Sequence, residues 1–340
     1  MDLSTYCKAL PKIELHAHLN GSVGTETLRK LQKIQNNPVN DQLISEIKNF
    51  KTLKECFRVF KIVHDLTDTI EAVYLATCDV IKDFHDDNVI YLELRTTPRA
   101  VNGKMTKNEY IKTIIKAIED TSKVLSGIIV KLLISVDRKQ GSLNADENIK
   151  LAIKFHEEYP KCVVGIDLSG DPEEGEACIK LFQDCRKVGL KIAAHCAEVP
   201  NENEIVDILN FKPNRLGHGT CIHKNLGGSD ELYNKLLSSK IPVELCLTSN
   251  VKCATVPSYS EHHLGYLLKD KHPICLGTDD KAVFNVTLSG EYELAAKYFS
   301  LSNKDLLDLS MNAVEYCFAN DEEKTFLKNK INKFGFDNLY

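Results

Sequence analysis

Four short words in this chain carry histidines and acids at spacings that can hold a metal ion. His16 and His18 stand two apart in H-A-H-L-N-G, at the end of an apolar run. On a strand, residues two apart point to the same face, so both imidazoles can grip one ion. An H-x-H pair alone is a weak signal. Here a third histidine, His195, ends another apolar run in H-C-A-E, and Asp279 follows a third in T-D-D. Three imidazoles and one carboxylate suit Zn2+, with a position open for water. Glu198 comes three residues after His195, beside the metal without needing to bind it, which suits a general acid or base. His218 sits in G-H-G-T, where flanking glycines let backbone approach a ligand closely. The competing roles are a solvated surface Glu198 and a core His218 bonded to a carbonyl. Placement of both words at the ends of apolar runs weighs against them.

Eight apolar or β-branched runs carry these words: Ile13–Ala17, Val89–Leu94, Ile128–Val136, Val163–Leu168, Leu190–Ala194, Arg215–Gly217, Pro242–Leu247 and Ile274–Leu276. Stretches of helical periodicity separate most of them. In Tyr110–Leu125, for example, Ile111, Ile114, Ile115 and Ile118 recur at three- and four-residue steps. Strands alternating with helices predict βαβ units and a parallel sheet. Eight units predict closure into a (β/α)8 TIM barrel, with a doubly wound open sheet as the competitor. In a barrel the polar strand ends meet at one face, where active sites form. The first connection, about 22–87, is long and holds at least three helical patterns. One of them, Phe50–Leu66, is amphipathic through Phe50, Leu53, Phe57, Phe60 and Val63. Such a connection is expected to act as a lid. The chain after the eighth run reads as helical to about Lys333. With no Pro/Gly/Ser-rich linker and no repeat, one domain over 1–340 is expected.

Composition narrows the partners. The 340 residues are 43% hydrophobic and 27% charged, ordinary values for a globular chain. A net charge of −5, without a basic tail, argues against a nucleic-acid polymer, although one local pocket can still be basic. The 12 cysteines include no C-x-x-C pair and read as buried free thiols in a reducing compartment. Met1–Lys12 lacks a basic segment followed by an apolar one, and no run reaches the ~20 apolar residues of a membrane helix. A cytosolic location, no membrane and a monomer are expected, since no helical face is left needing a partner.

The H-x-H clamp, the H-x-x-E segment, the G-H-G segment and the T-D-D pair occur in the order found in the adenosine deaminase branch of the metal-dependent amidohydrolases, which the chain resembles over nearly its whole length. The resemblance implies a single catalytic zinc held by His16, His18, His195 and Asp279. Asp167–Gly170 contains no lysine for a bridging carbamate, in agreement with one metal. The H-x-E with P-C-x-x-C signature of cytidine-type deaminases is absent. By the same resemblance, zinc makes hydroxide available near neutral pH for attack on the purine carbon bearing the amine. His218 orients or deprotonates the water. Glu198 protonates the adjacent ring nitrogen. Asp280 hydrogen-bonds the imidazole nitrogen of the purine, which only accepts, so Asp280 must carry a proton. The Gly170 N–H contacts the ring nitrogen on the far side.

One departure bears on the substrate. Ordinary adenosine deaminases have Asp where this chain has Asn20. A carboxylate there repels a 5′-phosphate, whereas an amide can donate to one. Thr96, Thr97 and Arg99, in R-T-T-P-R with Pro98 stiffening the turn, can form a phosphate cradle, and His64 of the lid can close on it. The alternative for R-T-T-P-R is a plain surface turn. Together with Asp137 and the words L-E-L-R-T-T-P-R, D-L-S-G-D-P, E-L-C-L-T-S-N-V-K and T-D-D-K, these residues resemble the adenosine deaminase-like group of the family. That resemblance implies hydrolysis of N6-methyl-AMP to IMP and methylamine. It also implies substrate contacts at His18, Asn20, His64, Thr96, Thr97, Pro98, Arg99, Asp137, Gly170, His195 and Asp280. The rivals are an adenosine deaminase, an AMP deaminase (whose chains carry a larger region before the barrel) and a non-catalytic binding protein that has kept the barrel.

Overall fold

The structure is a computed structural model that describes residues 1–35 and 53–339. Among these residues, eight parallel strands form one sheet in sequence order. They are β1 (Lys12–His18), β2 (Val89–Thr96), β3 (Ile129–Asp137), β4 (Val163–Ser169), β5 (Lys191–Cys196), β6 (Arg215–His218), β7 (Val243–Leu245) and β8 (Ile274–Leu276). The sheet closes on itself at the metal-binding words. Ala17 bridges Asp279 in parallel, the His18 N–H donates to the Asp279 carbonyl at 2.9 Å, and the Asp279 N–H donates to the His16 carbonyl at 2.7 Å. With helices between the strands, this is the (β/α)8 barrel, and the closure excludes the doubly wound sheet.

Each strand is buried on both faces, but the two faces differ in kind. Ile13 and Leu15 pack outward against Val314, Leu327 and Ile331 of the C-terminal helices Asn303–Tyr316 and Asp321–Leu339. Alternation then turns Glu14, His16 and His18 into the barrel. Barrel interiors are usually layers of branched apolar side chains. Here the interior carries an ionic network. Arg95 donates to Asp167 Oδ1 at 2.9 Å and to Glu244 Oε2 at 2.9 Å. Arg215 donates to Glu244, to Glu93 and to the Tyr316 carbonyl. Arg95, Arg215, Glu93, Asp167 and Glu244 are all 0% exposed, so each charge depends on its partners for solvation.

The helix Lys107–Val124 starts at a capping box between Thr106 and Glu109 and buries Ile111, Ile114, Ile115 and Ile118, as the periodicity predicts. The connection between β1 and β2 contains helices Thr25–Ile34, Leu53–Leu66 and Ile70–His85. Phe50 and the side chains of Leu53 and Phe57 lie outside the described residues; Val63 is buried and Phe60 packs on the core. The seventh strand is shorter than its apolar run. At Leu247 the chain turns into the helix Leu247–Lys252, whose first-turn N–H of Thr248, buried and without an intrahelical partner, donates to the buried Glu291 carboxylate at 3.2 Å. No described helix is long and apolar enough to cross a membrane.

Candidate active site

A cavity of about 430 Å³ opens at the C-terminal ends of the strands. The four expected metal ligands converge at its floor, with His16, His18, His195 and Asp279 offering donor atoms that all lie within 4.8 Å of one another. Their hydrogen bonds fix which atoms face inward. His16 Nδ1 donates to Glu244 Oε2 at 2.6 Å, which leaves its Nε2 lone pair free; that atom is buried without a hydrogen-bond partner. His195 Nδ1 donates to the Leu168 carbonyl at 2.7 Å, so its Nε2 is a lone pair as well. It faces His18 Nε2 at 3.1 Å. Ser249 holds Asp279 Oδ2 at 2.7 Å, leaving Oδ1 3.4 Å from His16 Nε2 and 3.3 Å from His18 Nε2. Lone pairs aimed at one point repel unless a cation lies between them. This donor set, with a carboxylate or carbonyl behind two of the imidazoles, fits a divalent metal such as zinc.

The acid and base candidates surround that floor. His218 Nε2 lies 3.6 Å from Glu198 Oε2 and 3.8 Å from Asp279 Oδ2. Ala197, His218 and Asp279 all adopt left-handed backbone, with φ of 59°, 61° and 59°. Such conformations are strained for residues with a Cβ and occur where surrounding structure enforces them. Adjacent carboxyls are driven in opposite directions. Burial acts to raise Asp279, but the hydrogen bond to His16 and the neighbouring imidazoles outweigh it and hold the group well below its ordinary range. Burial, reinforced by the Asp279 charge, holds Asp280 well above it. Asp280 Oδ1 is also buried without a partner. Gly21 makes room for it, since a Cβ there would collide with the Asp280 carboxyl. Gly170, at φ 96°, could not carry a Cβ without striking Asp137.

The opposite wall is the expected phosphate rim. Asn20 Nδ2 lies 3.3 Å from His64 Nε2, bringing the end of β1 and the helix Leu53–Leu66 together. Burial and the Arg99 charge push His64 down to about 4. Thr96 bonds the Tyr110 hydroxyl at 2.6 Å. Arg99 donates to the His64 carbonyl at 3.2 Å and to the Thr67 hydroxyl and carbonyl, so its terminal nitrogens tie the end of the helix Leu53–Leu66 to the turn. Asp137 caps the turn that follows β3 by accepting from the Lys139 N–H at 3.0 Å. Of the fifteen residues singled out from the sequence, thirteen line the cavity. His16 lies just beneath the floor at 0% exposure, and Pro98 is buried behind the rim.

Sequence reasoning passed over the residues that hold the ligands in place. Glu244 and Ser249 lie inside the word E-L-C-L-T-S-N without a role assigned, and Asp167 inside D-L-S-G-D. A signal was present: ionisable residues two apart within apolar runs, as in Glu14-x-His16 and Glu93-x-Arg95, mark an interior-facing polar layer.

Fold and site together define a metal-dependent hydrolase of the (β/α)8 class. The sequence profile of the adenosine deaminase family matches residues 11–334. A human protein named N6-methyl-AMP deaminase is 44% identical over 331 residues, covering 95% of this chain and 93% of that one. A crystal structure of the Arabidopsis N6-mAMP deaminase superposes with a TM-score of 0.89 at 39% identity, covering 97% of this chain and 99% of that one. Arabidopsis ADAL complexed with IMP superposes with a TM-score of 0.89 at 38% identity over 98% and 99% of the two chains. The chain belongs to the adenosine deaminase family, whose members are metal-dependent hydrolytic deaminases.

Proposed function

We propose that this chain is a zinc-dependent deaminase that hydrolyses N6-methyl-AMP to IMP and methylamine, acting as a cytosolic monomer with one zinc in a single barrel domain. The observation that carries the reading is Asn20, an uncharged amide between the metal cluster and the lid, facing His64, where a carboxylate would repel phosphate. The names of the human and Arabidopsis relatives support it, as does the IMP complex, since IMP is the expected product. The described cysteines are free and mostly buried, in keeping with a reducing compartment.

His16, His18, His195 and Asp279 would hold the zinc ion, which would supply the Lewis acidity that makes hydroxide available near neutral pH. The chain's own groups do the rest. Glu198 delivers a proton to the ring nitrogen beside the carbon under attack, making that carbon electrophilic. His218 faces the attacking oxygen from the Glu198 side. Asp280, kept protonated by burial and by Asp279, donates to the imidazole nitrogen of the purine. The Gly170 N–H meets the far ring nitrogen. Water adds, methylamine leaves with the proton it gains, and the 6-oxo purine remains. Thr96, Thr97 and Arg99 with Asn20 and His64 receive the phosphate.

One observation favours a second reading, a deaminase of adenosine. The terminal nitrogens of Arg99 are already engaged by Thr67 and the His64 carbonyl. Measuring kcat/KM in parallel for adenosine, AMP, N6-methyladenosine and N6-methyl-AMP separates the two. A preference of orders of magnitude for N6-methyl-AMP upholds the first reading. A preference for adenosine replaces it with the second.

A further inference from the structure

His262 and His263 enter none of the chemistry above and do not line the cavity. They are 1% and 2% exposed, and their rings stack with centroids 4.2 Å apart. Each reaches His218 by its own route. His263 Nε2 lies 2.7 Å from the His218 carbonyl oxygen. A carbonyl only accepts, so this nitrogen carries the hydrogen. It thereby holds a backbone unit kept at φ 61°.

His262 acts on the ring instead. The Leu264 backbone N–H donates to His262 Nδ1 at 3.1 Å. A backbone N–H can only donate, so Nδ1 accepts and the neutral ring carries its hydrogen on Nε2. That nitrogen lies 3.0 Å from Asn250 Oδ1, which accepts from it. The orientation of the amide follows, and Asn250 Nδ2 faces His218 Nδ1 at 3.2 Å. Thr255 agrees with this orientation. Its hydroxyl donates to the Asn250 backbone carbonyl at 3.1 Å and accepts from Asn250 Nδ2 at 3.3 Å. An amide NH2 only donates, so His218 Nδ1 accepts, and the hydrogen of its neutral ring sits on Nε2. Nε2 faces the cavity, 3.6 Å from Glu198 Oε2 and 3.8 Å from Asp279 Oδ2.

We propose that the Leu264 N–H, His262 and Asn250 form a one-way relay that locks His218 as the Nε2–H tautomer, so that it presents a hydrogen-bond donor to the attacking oxygen. The proposal rests on the function above for the identity of that oxygen as the hydrolytic water. With Nε2 already carrying hydrogen, the neutral ring orients the water but does not take its proton there. His262, His263 and Asn250 are positioning residues, acting through His218.

The test uses the metal-loaded full chain with 15N-labelled histidine. Ring-nitrogen spectra report which nitrogen of His218 bears hydrogen, and the signals missing from His218→Gln assign them. The wild type should show Nε2–H. Asn250→Asp places an acceptor opposite Nδ1 and should move the hydrogen there. It should lower kcat by about 10²-fold, as loss of one aligned donor does, with KM changed by less than about threefold. His262→Gln, whose amide can still donate to Asn250 Oδ1, should keep kcat within about threefold, whereas His262→Ala should not. An Nδ1–H ring in the wild type overturns the proposal. So does Asn250→Asp with the hydrogen moved and kcat intact, or with KM alone changed. If Asn250→Asp does not fold, the wild-type spectrum still decides. If the wild type turns over none of the four purines, the functional reading fails while the spectrum judges the tautomer independently.

Discussion

The two walls of the cavity are built differently. On the metal side, functional atoms have buried partners behind them: Glu244 behind His16, the Leu168 carbonyl behind His195, Ser249 behind Asp279 and Asn250 behind His218. On the rim side, Asn20, His64, Thr97 and Arg99 are only half-buried, with Asn20 and Arg99 both set against His64 of the helix Leu53–Leu66. The contrast teaches a division of labour. Bond breaking requires orientation that holds to a fraction of an ångström, and the closed barrel supplies it. In the proposed function, choice of substrate falls to connections that can change without disturbing the barrel.

Substitutions on the two walls should therefore behave differently. The largest effect is expected at Glu198→Gln, which keeps the metal and the fold but cannot deliver the proton; kcat should fall by about 10²–10⁴-fold. Metal analysis, circular dichroism and turnover check it together, and near-normal turnover would remove Glu198 from the chemistry. Next comes Glu244→Gln, behind the metal wall. It weakens the hold on His16 and leaves Arg95 and Arg215 short of counter-charge. Metal affinity should fall by about 10–100-fold and stability by roughly 3 kcal/mol, read by chelator competition and denaturant titration. If both stay unchanged, the ionic layer does not support the site.

Across the cavity, Arg99→Ala should raise KM for a nucleotide by about tenfold more than for the matching nucleoside, with kcat little altered. An equal rise for both would make Arg99 a lid tie alone. The smallest effect concerns His64. Its ordinary value of 6.5 is pushed down to about 4, by burial first and Arg99 second. As pH falls, the unfolded chain takes up this proton first. The stability due to His64 is thus complete above pH 6.5 and is lost as pH falls towards 4. His64→Gln should flatten the fall of melting temperature across that window. An unaltered slope would mean that the lid leaves His64 open to water.

Much of this site is written locally. The eight strand ends could be placed because each apolar run stops at a polar word, and the H-x-H face follows from strand alternation alone. The helix Lys107–Val124 was legible from its isoleucine spacing. The length of β7 was not. The turn at Leu247 depends on the bond from Thr248 to Glu291, 43 residues away in the chain, and no local pattern announces such a partner.

What the sequence by itself determined was therefore the inventory: a barrel of eight units, a three-histidine and one-carboxylate donor set, an acid beside it and an uncharged Asn20 near the clamp. Only the tertiary structure decided which nitrogen of each imidazole faces the cavity, that Arg99 bonds His64 and Thr67, and that the barrel interior is ionic. The physical reason is that a tautomer or an ion pair is set by what lies opposite it. Those opposites — Glu244 for His16, Leu168 for His195, Asn250 for His218 — come from distant strands that only barrel closure brings together.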